Sequence, residues 1–583
     1  MQVLVALFKA RGAIVTRDDL IASCWSGRIV GDNAIQRTIS RIRDLAAANE
    51  PAGFRLETIP KVGYRLIEIA THPEHTPSLE IAQTGAAHGR TRLFLAIAAF
   101  VLALSIGGGV WLLQSPVETF GVTAIATPGQ ENREMMGAIA TELAQLSNTS
   151  GMPIPFYFDT RSKASRLILQ GAQQRSGDAL HAAVSLYDSR TSELMWSASA
   201  ERPAGQSSEL YRVLSRAVME ALTCVVPRDS DPPMDNAGMR AALNACGRIL
   251  QEPDPQLVQV LRQAAQSNPG SAALLAYLSQ VEAQLGQVED GNEPTSAQLQ
   301  YRAAAHEHLA RAREIDPSNG EVYVAEYFLT PSNAWPEQFA ALSRGLAVDQ
   351  ANAHLYMLRT QVLQKVGFME EAVESARRGT MLNPSSPDIR ATYISALAYN
   401  GYADTAHEEL VQAIALWPLS PALQEAQFRF ALRYGDARTL LKQIESGTSF
   451  INSSAEFQMG PTRGFLIARI SPTPENIETA VQQSLSIYHR FGAPQFAVQT
   501  LGRFDRIDDA FRILNDPPAI ASLKKSGTDI LFRPGMRAIR LDPRFALVAK
   551  RLGLAQFWRR DGQWPDFCAD SQLTYDCRIA MNR

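Results

Sequence analysis

Residues 93–113 read LFLAIAAFVLALSIGGGVWLL, 21 positions without a charge, Pro, Asn or Gln. As a helix rising about 1.5 Å per residue this run is about 31 Å long, enough to cross a bilayer core of about 30 Å. Arg90 and Arg92 precede it, whereas Gln114, Ser115, Pro116, Val117 and Glu118 follow. A positive-inside bias then leaves residues 1–92 in the cytoplasm and carries 114–583 across. A cleaved signal peptide is a poor fit, because 92 residues of folded-looking sequence come first and the apolar run is too long. The expectation is one membrane span at 93–113, with a short inner part and a long outer part.

Composition follows the same division. The 583 residues leave room for several domains, and 46% apolar with 20% charged residues is ordinary for folded protein. The net charge of −3 conceals 12 Lys/Arg against 9 Asp/Glu in residues 1–92, so the inner part is mildly basic. That balance suits an anionic partner. Cys24 stands alone before the run, while Cys224, Cys246, Cys568 and Cys577 come after it. Four cysteines in an oxidising compartment permit two disulfides in three connectivities, and proximity in sequence favours Cys224–Cys246 and Cys568–Cys577.

Within residues 1–70, Thr16-Arg17-Asp18-Asp19 is a capping box for a helix that buries Leu20, Ile21 and Trp25. Asp32 or Asn33 caps a second helix with Ile35, Ile39, Ile42 and Ala46 on one face. Gln36, Arg37, Ser40, Arg41 and Asp44 occupy the other face, with Thr38 and Arg43 at its margins. Two strand-like runs follow at 54–59 and 63–69, joined through Pro60-Lys61-Val62-Gly63. A charged helix face is often no more than a solvated surface, with arginines paired to Asp32, Asp44 or Glu57.

The stretches DDLIASCW, DNAIQRTISRIRDL and LETIPKVGYRLI resemble, in order and spacing, the winged-helix effector domain of OmpR/PhoB-type response regulators. The resemblance implies that the second helix lies in the major groove of double-stranded DNA and that the hairpin forms a wing at the minor groove. Arg37, Thr38, Ser40 and Arg41 would then face base edges or phosphates, and Arg43 the backbone. Lys61 and Arg65 would sit in the wing, and Tyr64 would pack or donate to a phosphate. Arginine forks suit guanine edges, while Lys and Ser/Thr suit phosphate oxygens. Measured against that family, Met1 falls inside the first helix and the leading strands are missing, so the start is expected to be misassigned or clipped. No receiver domain is expected before the module. A winged helix leading into one span resembles CadC/ToxR-like one-component regulators, which implies a bacterial inner-membrane protein with its N-terminus cytoplasmic and its C-terminal domains periplasmic. Residues 71–92 read as a flexible linker. Ala99, Ala103 and Gly107 form a small-residue stripe that suits packing of a homodimer.

Beyond the run, Thr119–Ala126 alternates as a strand and Asn132–Leu146 is helical. A short strand is predicted at Ile154–Phe158, then a meander of Arg166–Gln173, Leu180–Tyr187 and Glu193–Ala200, then a closing helix at Ser207–Leu222. VSLYDSRTSELMWSASAERP followed by LYRVLSRAVMEAL is similar to the TolB-like α/β domain, placed at 118–227. His181 is a lone histidine on an exposed strand face, more readily a surface residue than a ligand or proton sensor. Farther on, Pro317, Gln350, Pro384 and Pro418 are 33, 34 and 34 residues apart, the period of tetratricopeptide repeats. Ala305, Leu309 and Ala312, then Ala372, Ala376 and Gly379, then Ala406, Leu410 and Ala413, recur in phase where paired helices must approach closely. The repeats are placed at 238–547. A C-terminal cap at 548–583, packed by Trp558 and Trp564, resembles that of the same regulators.

The expected fold class is therefore multidomain α+β: a winged helix-turn-helix (1–70), a single transmembrane helix, a small α/β domain and an α-solenoid of tetratricopeptide repeats. No Gly-rich phosphate loop, His/Cys metal spacing or nucleophile elbow is present, so no cofactor, metal or catalytic residue is expected and an enzyme is not. The expected function is a membrane-anchored DNA-binding regulator that couples a periplasmic signal to a promoter, with a protein or peptide partner on the repeats. The alternative is an envelope scaffold or adaptor that works through its repeats and whose winged helix is non-functional.

Overall fold

The computed structural model describes residues 15–16, 54–59, 63–68, 120–152, 154–159, 165–226, 233–245, 247–248, 254–288, 293–446 and 456–582. They belong to two compact units, Met1–Gln114 and Ser115–Arg583.

In the first unit, β1 (Val15–Thr16), β2 (Phe54–Ile59) and β3 (Gly63–Glu68) make an antiparallel sheet of order β1-β3-β2. The β2–β3 hairpin pairs Phe54 with Glu68 and Ile59 with Gly63, so Pro60, Lys61 and Val62 form its tip. The helices expected after Thr16 and Asn33 lie outside the described residues.

The second unit begins with a sheet of order β5-β4-β6-β7-β8. Its strands are β4 (Val122–Ala126), β5 (Phe156–Phe158), β6 (Leu167–Ser176), β7 (Ala179–Asp188) and β8 (Leu194–Pro203). β4 runs parallel to both β5 and β6, and β6, β7 and β8 form an antiparallel meander. Gly177, at φ 62°, makes the tight β6–β7 turn that a residue with a Cβ would resist. In β7, Leu180, Ala182, Val184 and Leu186 alternate into the core. They share that core with the buried faces of α1 (Gln130–Ser150) and α2 (Ser207–Thr223).

Helices follow without further strands among the described residues. α3 (Asn236–Ala245), α4 (Pro255–Ser267) and α5 (Ala272–Leu285) lead into α6 (Ser296–Ile315). Three further pairs succeed it: α7 (Gly320–Leu329) with α8 (Trp335–Val348), α9 (Ala353–Val366) with α10 (Met369–Leu382), and α11 (Pro387–Tyr399) with α12 (Ala403–Leu416). α13 (Pro421–Arg433) opens the next turn of the array. Each pair restarts at a cap: the side chains of Asn319, Asn352, Ser386 and Ser420 accept backbone N–H bonds at the starts of α7, α9, α11 and α13. These caps are 33, 34 and 34 residues apart, and the small residues in phase with them, Ala312, Gly345, Gly379 and Ala413, are buried. The fold is thus a helical, tetratricopeptide-like solenoid carrying a small sheet at one end.

The chain then closes on itself. Trp558 is fully buried, and its Nε1 donates to the Val366 carbonyl at the end of α9 over 2.8 Å. Its ring meets Phe532 and Phe567 edge-on. A disulfide joins Cys568 to Cys577, nine residues apart.

The multidomain α+β expectation is corrected in two respects. The sheet layer and the solenoid are one compact unit, because a single apolar core runs from Val122 in β4 to Leu329 in α7. α5 shows how: Ala272 through Ala283 are all buried, so this helix is covered on every side. Second, no helix among the described residues is long and apolar enough to cross a membrane. The longest, α1, has 21 residues but carries Glu131, Arg133, Glu134 and Glu142. The apolar α5 has only 14 and is enclosed by protein. A span needs about 20 predominantly apolar residues in a row. Residues 93–113 lie outside the described residues. The expected transmembrane helix, and with it the inner-membrane localisation and two-sided topology, is thereby corrected: no described element supplies the span that either would require.

Candidate functional site

Two regions hold the candidate functional residues. The first is the strand pair expected to form a wing. Tyr64 stands in β3 between Thr58 of β2 and Val15 of β1, and Arg65 stands opposite Glu57. Arg37, Thr38, Ser40, Arg41, Arg43 and Lys61 lie outside the described residues. The structure thus places two of the eight DNA-facing candidates on one strand of a three-stranded sheet.

The second region is where the sheet layer meets the solenoid. A cavity of about 620 Å³ opens between the C-terminal ends of α1 and α2 and the first turns of α7 and α9. The capping asparagines Asn319 and Asn352 bring Glu321 and His354 to its wall. Glu321 is 6% exposed, and both its carboxylate oxygens are engaged. It accepts from Gln280 Nε2 at 2.9 Å and Asn352 Nδ2 at 2.8 Å, and lies 3.2 Å from His354 Nδ1. Burial opposes its charge, but the neighbouring His354 and the amide donors outweigh that, holding its carboxyl down at about 2. His354 responds in kind: burial lowers its pKa, yet the Glu321 carboxylate raises it overall. The arrangement is a buried imidazolium–carboxylate pair with its donors in place.

Two more acids surround the pair. Asp388, in the first turn of α11, is raised by burial despite the opposing pull of His354. Glu220, on α2, is pushed up to about 8 by burial and by the Asp388 carboxylate, with His354 pulling the other way. One histidine and three carboxylates from α2, α7, α9 and α11 therefore share a low-dielectric junction. Their positions are remote in sequence, and no local pattern marks them.

The leading helices of three successive pairs, α9, α11 and α13, also line a polar groove, in which Gln361, Lys365, Asp388, Tyr399 and Arg429 border a hollow of about 440 Å³. Arg533 reaches over from the C-terminal segment, its guanidinium 3.8 Å above the Tyr399 ring and bonded to Asp529 at 2.6 Å. Among the other sequence candidates, His181 faces Glu201 across the β7–β8 pair at 3.2 Å, on the exposed side of the sheet. Cys224 is disulfide-bonded, whereas Cys246 lies outside the described residues. No His/Cys/Asp/Glu group suited to a metal ion occurs among the described residues.

Comparison with known proteins gives a family for one end of the chain. Residues 1–66 match the family described as transcriptional regulatory protein, C terminal. No curated protein sequence matches the chain. Among solved structures it is similar to the crystal structure of yeast Tom70, at 16% identity over 59% of this chain and 71% of that one, with a TM-score of 0.28. It is also similar to the crystal structure of the P58(IPK) TPR domain, at 12% identity over 60% of this chain and 94% of that one, with a TM-score of 0.16. The solenoid assignment stands on the chain's own repeated helix pairs and caps.

Proposed function

We propose that this protein is a DNA-binding transcriptional regulator whose solenoid unit takes up a protein or peptide partner. The observation that carries the reading is the match of residues 1–66 to a family of transcriptional regulatory domains. The β2–β3 hairpin agrees with the wing that such a domain uses. On this reading Arg37, Thr38, Ser40, Arg41 and Arg43 belong to a helix in the major groove, and Lys61, Tyr64 and Arg65 to the wing. The polar groove of the solenoid has the concavity and hydrogen-bonding groups to hold an extended peptide.

The test uses the full chain. The protein and its Arg37→Ala/Arg41→Ala variant are each mixed with random DNA duplexes at low salt, and the bound fraction is sequenced. The wild type is expected to enrich one motif, and each arginine fork removed from a base edge to cost the variant about 1–3 kcal/mol. A wild-type protein that retains no duplex refutes the reading. If the variant also leaves transcript levels in the cell unchanged, the solenoid acts as a scaffold without the DNA-binding end.

A further inference from the structure

The turns that precede the caps of α7, α9, α11 and α13 are in phase, and the last of them departs from the others at two positions. They read Asp316-Pro317-Ser318, Asp349-Gln350-Ala351, Asn383-Pro384-Ser385 and Trp417-Pro418-Leu419. In the first three, the leading side chain accepts a backbone N–H: Asp316 from Ser318, Asp349 from Gly320 and Asn383 from Ser385. An indole has no acceptor to offer, so Trp417 gives that bond up. Its own Nε1 is enclosed and meets no acceptor among the described residues, a second cost to folding. The small third residue is replaced by Leu419, which is 85% exposed and gains almost nothing from packing. Trp417 has a structural use beneath the Arg216 guanidinium, whereas Leu419 has none.

A departure from the repeat's own rule that folding does not repay is a mark of function. Both residues line one hollow of about 1260 Å³. On one side of it are the ends of β6, β7 and β8, where Ala172, Ala183 and Ser199 keep the surface low. On the other is the α12–α13 turn, with Trp417, Pro418 and Leu419. Short side chains on a sheet facing a proline-stiffened turn make two smooth walls, which suit a flat apolar body. The charged groups at the hollow are His181, Glu201 and Arg202. His181 faces Glu201 at 3.2 Å, whereas Arg202 donates only to the carbonyls of Glu201 and Ala415. Arg202 is therefore the cation there that a ligand carboxylate would meet.

We propose that this hollow binds a small molecule with a flat, fused aromatic body and a carboxylate. The rings lie between the Pro418–Leu419 wall and the sheet, and the carboxylate pairs with Arg202. The volume lies just above the roughly 300–1,000 Å³ of ordinary small-molecule clefts, so such a body fits with water left at the rim. The hollow belongs to the larger unit, so the site holds or fails independently of DNA binding.

The experiment titrates the full-length protein by calorimetry with naphthoate, with naphthalenemethanol, which lacks the carboxylate, and with octanoate, which lacks the rings. Naphthoate is expected to saturate one site, and each of the other two to bind about tenfold more weakly. Leu419→Ser gives the turn the residue found at 318 and 385 and leaves Trp417 beneath Arg216. It is expected to weaken naphthoate about tenfold without moving the urea midpoint. Arg202→Gln is expected to lower naphthoate to the affinity of the alcohol and to leave the alcohol unchanged. Leu299→Ser, which removes an exposed leucine of α6, is expected to change neither. A protein that naphthoate does not saturate overturns the proposal. So does a Leu419→Ser variant that binds naphthoate as tightly as the wild type, or octanoate binding as tight as that of naphthoate.

Discussion

Two glycines at equivalent places in successive repeats should answer the same substitution with opposite signs. Gly345 in α8 and Gly379 in α10 both sit three residues before the helix end, 34 apart, in phase with Ala312 and Ala413. At each, Gly→Ala gains about 1 kcal/mol of helix propensity. The surroundings differ. A Cβ on Gly345 would stand 2.8 Å from Tyr323 Cβ and 2.9 Å from Leu355 Cδ1. Tyr323 Cβ is tied to the backbone of α7 and can yield only if that helix moves. Such overpacking costs about 1–3 kcal/mol, so Gly345→Ala should lose about 1 kcal/mol net. On Gly379 the nearest atoms are Ile389 Cγ2 at 3.3 Å and Tyr356 Cβ at 3.5 Å, close to ordinary contact. Gly379→Ala should therefore gain about 0.5–1 kcal/mol. Urea unfolding of the full chain, followed by helical circular dichroism, compares the two midpoints directly and requires no absolute stability. If Gly345→Ala unfolds no earlier than the wild type, close approach of α7, α8 and α9 does not limit residue size at this position, and the packing argument fails.

Other consequences follow from the ionic junction and the closing segment. Glu220 holds its proton up to about pH 8 in the folded chain, well above the ordinary glutamate value, so its favourable contribution is full at low pH and lost as pH rises toward and through 8. Glu220→Gln, which mimics the protonated form, should raise the urea midpoint at pH 9 by an amount corresponding to a few kcal/mol and leave it unchanged near pH 4. Glu321 has the opposite sign: its carboxyl is held at about 2, so its stabilisation is present above the ordinary glutamate value and lost as pH falls toward 2. Glu321→Leu strands the His354 charge and should cost about 3–5 kcal/mol at pH 6, read from the same unfolding curves. Trp558→Phe keeps most of the ring packing but leaves the Val366 carbonyl unpaired, and should lower the midpoint by about 1–3 kcal/mol.

The legible parts of this fold are those with a local period. The alternation of Leu180, Ala182, Val184 and Leu186 predicts β7, and the 34-residue phase of Pro317, Pro384 and Pro418 predicts helix pairs that the structure contains. Gln350 keeps the phase without a proline because Asn352 supplies the cap that the turn requires. Long-range partners leave no such mark. Nothing in residues 122–126 announces that β4 lies between β5 and β6, and the two-residue strand Val15–Thr16 is too short for a pattern. The ionic junction is invisible for the same reason: Glu220, Glu321, His354 and Asp388 come from four helices, each locally an ordinary polar position. The union of sheet and solenoid, by contrast, does leave a local trace. A helix that opens AALLAYL is apolar on every side over its first two turns, which already says that protein covers both of its faces there.

That helix also decides how the larger unit behaves. α5 packs against α3, α4, α6 and α7, inside the same apolar core that β4 and β7 enter, so the sheet layer and the solenoid share one interior. Farther along, Arg216 of α2 donates to the Pro384 carbonyl at 2.6 Å and lies over the Trp417 ring at 5.4 Å, fastening the same layer to the turns before α11 and α13. Arg202 of β8 adds a bond to the Ala415 carbonyl at 3.3 Å. The sheet layer thus touches successive repeats rather than only the first. A stacked array whose repeats touch only their neighbours is free to change its curvature. Here the bonds at Pro384 and Ala415 and the ring of Trp417 fix the spacing of two repeat boundaries against a rigid sheet. A ligand that alters the groove must therefore shift the sheet as well, so both layers respond as one body.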